Sequence, residues 1–426
     1  MSTYGWFEPV EQLLLDEIDL SDLDFWQRDY RVREGAFHTL RRERPVARFP
    51  IPEWLRTEES EQGTYYAVMR YEDVLRASRD PETFISGKGA VSVIDLPEEF
   101  LEFFGSLINT DDPRHAHLRR VVLRAFTPRR IERLDAEIGL VAHRLVEQAR
   151  DLEHFDFVSA IAAPLPLRII GEIMGIPPEA DQFVLERSQR ILGALDPEFV
   201  PPEFTPDESI LTAALELTEF MGELAHTDHP DDTVIGALLS ADVDGVALSP
   251  SELASFFILL LVAGNETTRN ALSMGMIALS EFRDVREELI ERPSADQLGR
   301  AAEEVVRLAS PVVWMRRTLA RPSMLSGVPL EIGDRVLLMY PSANRDETVF
   351  REPYRFLLDR DNTRHLGFGG YGPHHCLGAH LARAEIVAVL REMLTLMPNH
   401  SVAGVPEMLV SNFIAGIKRL PLDAGC

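Results

Sequence analysis

His365-Leu-Gly-Phe-Gly-Gly-Tyr-Gly-Pro-His-His-Cys-Leu-Gly-Ala-His-Leu-Ala-Arg383 delivers one thiol, Cys376, out of a glycine-rich, turn-forming run to the start of an amphipathic helix. Gly367, Gly369, Gly370 and Gly372 permit backbone angles and close approach that side chains would forbid, so something flat and bulky can lie against this loop. Amides at the helix start, together with the helix dipole, favour a thiolate over a thiol. A thiolate with a buried, hydrogen-bonded sulfur is what an axial haem ligand needs, because it pushes electron density onto iron and favours O–O cleavage. The plainer alternative is a buried structural cysteine in a glycine-rich turn.

Working outward, the 426 residues are 45% hydrophobic, enough to bury a sizeable core. Length alone would allow two or three domains. No internal repeat, low-complexity tract or Gly/Ser linker divides the chain, so one domain spanning residues 1–426 is expected. The only other cysteine is the terminal Cys426, which gives no disulfide framework and fits a reducing compartment, by default the cytosol. The N-terminus is acidic, without a basic region before an apolar core, and does not read as a signal peptide. The longest apolar stretch, Leu253 to Ala263, falls short of the roughly 20 residues that a membrane span requires.

With 43 basic and 69 acidic residues the net charge is −26, which opposes nucleic-acid binding and supports solubility. Against that background Arg114, Arg119, Arg120, Arg124, Arg129, Arg130 and Arg133 form a basic island that contains a single acid, Glu132. Such an island can orient an acidic partner, or it can be a solvated helix face.

Apolar residues at three- and four-residue spacing predict helices over 115–150, 163–195, 208–226, 249–282 and 296–309. Strand-like alternation is confined to short pieces such as Tyr65 to Met69 and Val336 to Tyr340, so the fold class is mainly α with a small β portion. The proline-rich residues 196–208 read as a candidate mobile lid or an ordinary surface loop.

The helix expected from residue 249 has a well-specified start. Ser249 is the N-cap, Pro250 the first position and Glu252 the reciprocal cap, with Leu248 facing Leu253 as a staple. From Leu253 onward the segment is apolar on nearly every face, which predicts a central helix able to wall a pocket. Within it, Ala263-Gly264-Asn265-Glu266-Thr267-Thr268 puts small residues beside an acid and a hydroxyl, polar groups that a buried helix otherwise avoids. That mismatch points to function, while the simpler reading of the threonines is a bond back to helix carbonyls.

The cysteine run, with Gly370, Gly372, His374, Cys376 and Gly378 at their offsets, resembles the haem-binding signature of the cytochrome P450 family. The aromatic residue usually seven places before the cysteine is replaced by Gly369, and Phe368 stands one place earlier. The resemblance implies the P450 fold and a haem-thiolate monooxygenase, with Cys376 as proximal ligand of a haem b iron. It implies that Glu266 is the acid of a proton relay, and that Thr267 is the alcohol that steadies reduced oxygen and limits its unproductive release. Ala263 and Gly264 would leave room for dioxygen. Glu304 and Arg307 can pair on one helix face and match the family's ExxR pair, and Arg355 matches its third member, a structural set for haem retention. His115 and Arg119 match the propionate-binding HxxxR pattern, and Arg317 and His374 match further propionate ligands, with Arg317 preferred to Arg316.

Matching segments run from about residue 24 to residue 420. Several, including FFILLLVAGNETTRNA and SNFIAGIKRLP, are similar to the actinobacterial branch that hydroxylates terminal methyl carbons of methyl-branched lipids and sterol side chains, where the displaced Phe368 is normal. Tyr371 and Pro373 stand where that branch often has smaller residues, and His380 where it often has Asn. By this resemblance the substrate pocket includes Val93, Ile94, Phe103, Leu107, Leu260, Ala263, Val312, Val313, Trp314, Phe413 and Ile414. A lining so apolar suits an extended hydrophobic substrate oriented by shape. A broader cavity would instead fit a hydroxylase or epoxidase that tailors a macrolide or terpenoid. Electrons from NAD(P)H would arrive through a reductase and an acidic ferredoxin docking near the basic island, and a monomer is expected.

Two readings from other classes account for fewer of the same residues. A zinc site built from His374, His375, Cys376 and His380 has poor spacing and leaves Glu266, Thr267, Glu304 and Arg307 unexplained. A haem protein that senses gas or carries electrons without hydroxylating would not need the Glu266–Thr267 pair.

Overall fold

The computed structural model describes residues 5–9, 13–56, 63–96, 104, 107–124, 128–227, 234–240, 242–243 and 246–425, with the backbone alone described at 124, 128–131, 237, 242–243 and 246–247. The chain forms two compact units that alternate along the sequence. One comprises Met1–Leu96, Met274–Cys376 and Val410–Ala415, and the other Pro97–Ser273, Leu377–Leu409 and Gly416–Cys426. Neither is a continuous stretch, which is why no linker composition marks them.

In the first unit, helices α1 (Leu23–Gln27), α2 (Tyr30–Glu43), α3 (Tyr71–Arg79), α11 (Arg283–Glu291), α12 (Ala295–Ala309) and α13 (Tyr340–Ala343) accompany a mixed sheet. Its order is β1 (Val46–Pro50), β2 (Thr64–Val68), β10 (Arg335–Met339), β7 (Trp314–Leu319), β3 (Phe84–Ile85). β2 and β10 run parallel, with Val336 opposite Tyr66, and the other pairs are antiparallel. The period of two sends alternate residues to two cores. Ala47, Phe49, Tyr65, Ala67, Leu337 and Met339 join Phe25, Trp26, Phe37 and Leu40, whereas Val46, Val68, Val336 and Leu338 join Val74, Phe350 and Leu366. A hairpin of β8 (Ser323–Leu325) and β9 (Val328–Leu330) completes this unit.

The second unit holds α4 (Arg114–Arg124), α5 (Pro128–Arg150), α6 (Pro164–Met174), α7 (Asp181–Leu192), α8 (Pro206–Ala225), α9 (Val234–Leu239) and α14 (Ala379–Leu396). Its strands are β4 (His154–Asp156), β5 (Asp242–Val243), β6 (Val246–Ala247), β11 (Ser401–Val402), β12 (Glu407–Met408), β13 (Ile417–Arg419) and β14 (Pro421–Asp423), in three small sheets. α10 (Pro250–Glu281) belongs to it as far as Ser273.

α10 starts as its sequence predicts. Glu252 N–H donates to Ser249 Oγ at 3.2 Å, and Ser249 N–H donates to Glu252 Oε2 at 2.8 Å, a closed capping box. The stretch 163–195 differs from its expectation, because it is two helices rather than one. Gly175 ends α6 in the left-handed conformation, φ 75°, with Ile176 N–H donating to Gly171 O at 2.8 Å, and Pro177-Pro178 cannot continue the helix. Residues 115–150 likewise divide into α4 and α5.

The proline-rich residues after α7 are fastened down. Lys418 Nζ, on β13, lies 3.1 Å from the buried Asp196 and 2.8 Å from Glu198, and Arg419 pairs with Glu198 and Glu407. Arg419 and Lys418 together hold the Glu198 carboxyl down to about 2. This segment is a loop latched to a strand by ion pairs rather than one without anchors.

Candidate active site

In the first unit the cysteine run is pinned from beneath by α12. Glu304, buried on that helix, accepts from Arg307 Nε at 2.7 Å and Nη2 at 2.9 Å, from Arg360 Nε at 2.8 Å and Nη2 at 3.0 Å, and from Leu357 N–H at 3.0 Å. Burial alone would raise its carboxyl, but the two guanidiniums outweigh it and hold the group below the usual carboxylate range. Arg307 also donates to the carbonyls of Asn344, Pro353 and Arg355. The expectation for Arg355 is corrected here, since Arg360 supplies the third member. The Arg355 side chain is half exposed and reaches Asp284 at 3.3 Å, and only its backbone carbonyl enters the cluster, accepting from both Arg307 and Arg360.

Above that clamp, Asn344 Oδ1 accepts from Leu366 N–H at 2.6 Å and fixes the entry to the loop. Two glycines are required where the loop crosses α3. A Cβ on Gly370 would lie 2.3 Å from Ser78 Oγ, and one on Gly372 would lie 1.7 Å from Ser78 O. The chain then closes with Cys376 N–H donating to Phe368 O at 2.9 Å. Cys376 is exposed, and it stands two residues before Gly378, the N-cap of α14. His374 is half-buried beside it in sequence.

In the second unit, α10 is buried around most of its circumference, yet Leu260, Ala263, Gly264 and Thr267 fall on one stripe by helical spacing. Ala263 is exposed and the other three are half-buried, while Leu261, Asn265, Glu266, Thr268 and Arg269 are buried. Thr267 Oγ1 donates to Ala263 O at 2.7 Å, the back-bond of the simpler reading. Glu266 turns its carboxyl to the buried side and pairs with Arg269, a partner that the sequence reading missed although its i,i+3 spacing was visible. Burial raises the Glu266 carboxyl, and the Arg269 charge opposes that only in part. Glu266 Oε1, both polar side-chain atoms of Asn265 and Asn270 Nδ2 have no hydrogen-bond partner among the described residues, although Asn270 Oδ1 accepts from Ile417 N–H at 3.0 Å.

The propionate candidates sit on separate elements. His115 is buried at the start of α4, with Nδ1 3.4 Å from Asp112, and burial lowers its imidazole pKa against the pull of that carboxylate. Arg119 follows one turn later, half-buried. On β7, Arg316 is consumed by Asp95 Oδ1 at 2.8 Å and by the carbonyls of Val93 and Lys88, and burial brings it down to about 10. Arg317, on the opposite face of the strand, is buried and donates to Arg316 O at 2.7 Å.

Of the pocket candidates in the first unit, Val93, Val313 and Trp314 are buried in one cluster, with Ile94 and Phe413 packed against it. Trp314 meets Phe413 edge-on at 5.0 Å, and its Nε1 donates to Asn412 O at 2.8 Å. Val312 pairs with Ile414 through an isolated bridge. In the second unit Leu107 is buried in a short 3-10 turn, Leu260 and Ala263 lie on the open stripe, and Phe103 lies outside the described residues.

The chemistry of these parts fits a haem. An exposed thiol leaves a tightly hydrogen-bonded loop just ahead of a helix N-terminus. Among the described residues no group of three or more His, Cys, Asp and Glu side chains is placed to hold a metal ion.

Residues 298–397 match the sequence profile of cytochrome P450. Over 421 residues the chain is 43% identical to a methyl-branched lipid omega-hydroxylase of Mycobacterium tuberculosis, covering 97% of this chain and 96% of that protein. This chain belongs to the cytochrome P450 family. A steroid C26-monooxygenase of Rhodococcus jostii is 36% identical over 423 residues, covering 96% of this chain and 85% of that one. The fold matches that of a Mycobacterium marinum cytochrome P450 solved in complex with pseudoionone, with a TM-score of 0.90, 36% identity and coverage of 97% of this chain and 100% of that chain. The chain is therefore a P450 monooxygenase, an oxidoreductase of a family whose members bind haem iron through a cysteine thiolate and work on hydrophobic substrates with redox partners. No described helix is long and apolar enough to cross a membrane.

Proposed function

We propose that this P450 hydroxylates the terminal carbon of a methyl-branched lipid or of a sterol side chain, with Cys376 as the proximal ligand of haem b. The observation that carries the substrate class is the 43% identity to a methyl-branched lipid omega-hydroxylase across nearly the full length of both chains. The apolar character of Val312, Val313, Trp314, Phe413 and Ile414, and of Val93, Ile94, Phe103, Leu107, Leu260 and Ala263, agrees with it, since an aliphatic chain offers shape and few polar anchors. Bound through the thiolate, haem iron supplies the dioxygen activation that places one oxygen atom in a C–H bond and releases the other as water.

The chain's own residues then have these roles. His115, Arg119, Arg317 and His374 offer cationic or donor groups to the propionates. Glu266, whose proton affinity burial raises, passes protons toward the oxygen side, and Thr267 presents a hydroxyl on the open stripe of α10. Glu304, Arg307 and Arg360 keep the cysteine loop folded. Electrons come from NAD(P)H through a ferredoxin reductase and an acidic ferredoxin that docks at the arginines of α4 and α5. The protein works in the cytosol as a monomer, its two units forming one functional P450 domain.

The deciding experiment is the carbon monoxide difference spectrum of the reduced, haem-replete protein, followed by titration with a branched fatty acid, a sterol ketone and a macrolide. A strongly red-shifted Soret band that disappears in Cys376→Ala is expected, together with a ferric spin-state shift on adding the branched acid or the sterol. A thiolate band retained in Cys376→Ala overturns the ligand assignment, and a response to the macrolide alone overturns the substrate class.

A further inference from the structure

Tyr371 carries a bulky side chain at a backbone position suited to glycine. Its φ of 58° lies in the left-handed region, which a bulky L-residue keeps only when its surroundings over-determine it. Three contacts do so. The phenol donates to His365 O at 3.0 Å, the ring stacks on His375 with centroids 5.3 Å apart and planes 22° from parallel, and the Arg364 guanidinium lies 4.9 Å from the ring centroid.

Each of these partners is anchored in turn. His365 Nδ1 accepts from Gly367 N–H at 3.1 Å, which leaves Nε2 to donate to Glu303 Oε2 at 2.9 Å. Arg364 O accepts from the Tyr71 hydroxyl at 2.6 Å. A continuous path therefore runs from Glu303 on α12 through His365 and Tyr371 to His375, the residue bonded to Cys376. His375 N–H also donates to Gly372 O at 3.0 Å, so the stack and the turn restrain the same peptide.

We infer that Tyr371 is a positioning residue for the cysteine ligand: its ring and hydroxyl hold His375, and with it the Cys376 backbone, in the arrangement from which the thiolate binds iron. A glycine would adopt the same φ at no cost but would leave the loop free to sample others. The aromatic side chain accepts local strain in exchange for one loop conformation. This inference rests on Cys376 being the iron ligand.

The test compares wild type with Tyr371→Gly, Tyr371→Phe and Arg364→Gln, all haem-replete. Two quantities are read in moderate urea: the rate at which the red-shifted reduced–carbon monoxide band gives way to the blue-shifted form that has lost its thiolate, and the unfolding midpoint by far-UV circular dichroism. Tyr371→Gly should lose the thiolate band about tenfold faster, the equivalent of one ring stack and one hydrogen bond together. Its unfolding midpoint should change little, because relief of the left-handed strain offsets the lost contacts together with the added freedom of the unfolded chain. Tyr371→Phe and Arg364→Gln, each keeping part of the clamp, should fall between. A Tyr371→Gly rate equal to wild type overturns the inference, and so does an acceleration matched by an equivalent fall in the unfolding midpoint, which marks a residue that is merely structural. A wild-type protein with no thiolate band would instead overturn the ligand assignment beneath it.

Discussion

Arg360→Ala and Arg355→Ala separate a role assigned by similarity from one assigned by geometry. Arg360 gives Glu304 two charge-assisted hydrogen bonds inside the fold and also donates to the carbonyls of Arg351 and Arg355. Removing one partner of a buried ion pair costs about 3–5 kcal/mol, and the lower end applies because Arg307 still holds the carboxylate. Arg355 contributes an exposed pair with Asp284, worth ~0–1 kcal/mol. It also lies 5.3 Å from the Phe282 ring centroid, a contact worth ~0.5–1 kcal/mol. With an unfolding entropy near 0.9 kcal/mol/K for a chain of this length, Arg360→Ala should lower the melting midpoint by about 3–4 °C and Arg355→Ala by about 1 °C. The pH dependence gives a second readout. A carboxyl with a depressed folded pKa contributes stability that is fully present above its unfolded value, about 4.3, and is lost as pH falls through the folded value. In Arg360→Ala, burial of Glu304 is opposed by Arg307 alone, so acid unfolding should begin at higher pH than in wild type. Scanning calorimetry of the haem-replete proteins at neutral pH, with acid titration followed by circular dichroism, measures both. Equal losses in the two variants, or a larger loss in Arg355→Ala, would refute the assignment of Arg360.

Thr267→Ala should turn over NAD(P)H with less product and more hydrogen peroxide, because the only hydroxyl on the open stripe formed by Leu260, Ala263, Gly264 and Thr267 is removed; unchanged coupling, read as product formed per NAD(P)H, rejects that role. The latch on the loop after α7 should yield to acid. Glu198 is depressed to about 2, so its pairing is complete above the ordinary carboxylate range and fades as pH falls toward that value. Glu198→Gln should bring on at neutral pH the faster proteolysis between residues 193 and 206 that is expected of wild type only in acid, and a loop equally protected in both proteins would mean that other contacts hold it.

Where local chemistry suffices, the sequence was legible. The start of α10 needed only Ser249, Pro250 and Glu252, and the capping box forms between the residues expected. The break at Gly175-Ile176-Pro177-Pro178 is equally local, but apolar periodicity continues on both sides of it and masks a left-handed cap followed by two prolines. The mixed sheet was mostly invisible. β1 reads Val-Ala-Arg-Phe-Pro, too short and too interrupted for a pattern, and its register depends on β2, whose other neighbour β10 comes from far along the chain.

The site was less legible for a related reason. Arg351, Arg355 and Arg360 are chemically equal in sequence, and which of them reaches Glu304 is settled only by how the chain turns after Pro353. That turn points the Arg355 carbonyl at the two guanidiniums and sends its side chain outward to Asp284. Glu266 shows the converse case. Its partner Arg269 lies three residues away, and a carboxylate kept inside a buried helix requires such a partner whatever it does toward oxygen. A carboxyl buried beside a single guanidinium, with Oε1 left without a partner among the described residues, has its proton affinity raised by burial, the property that the relay proposed for it would use.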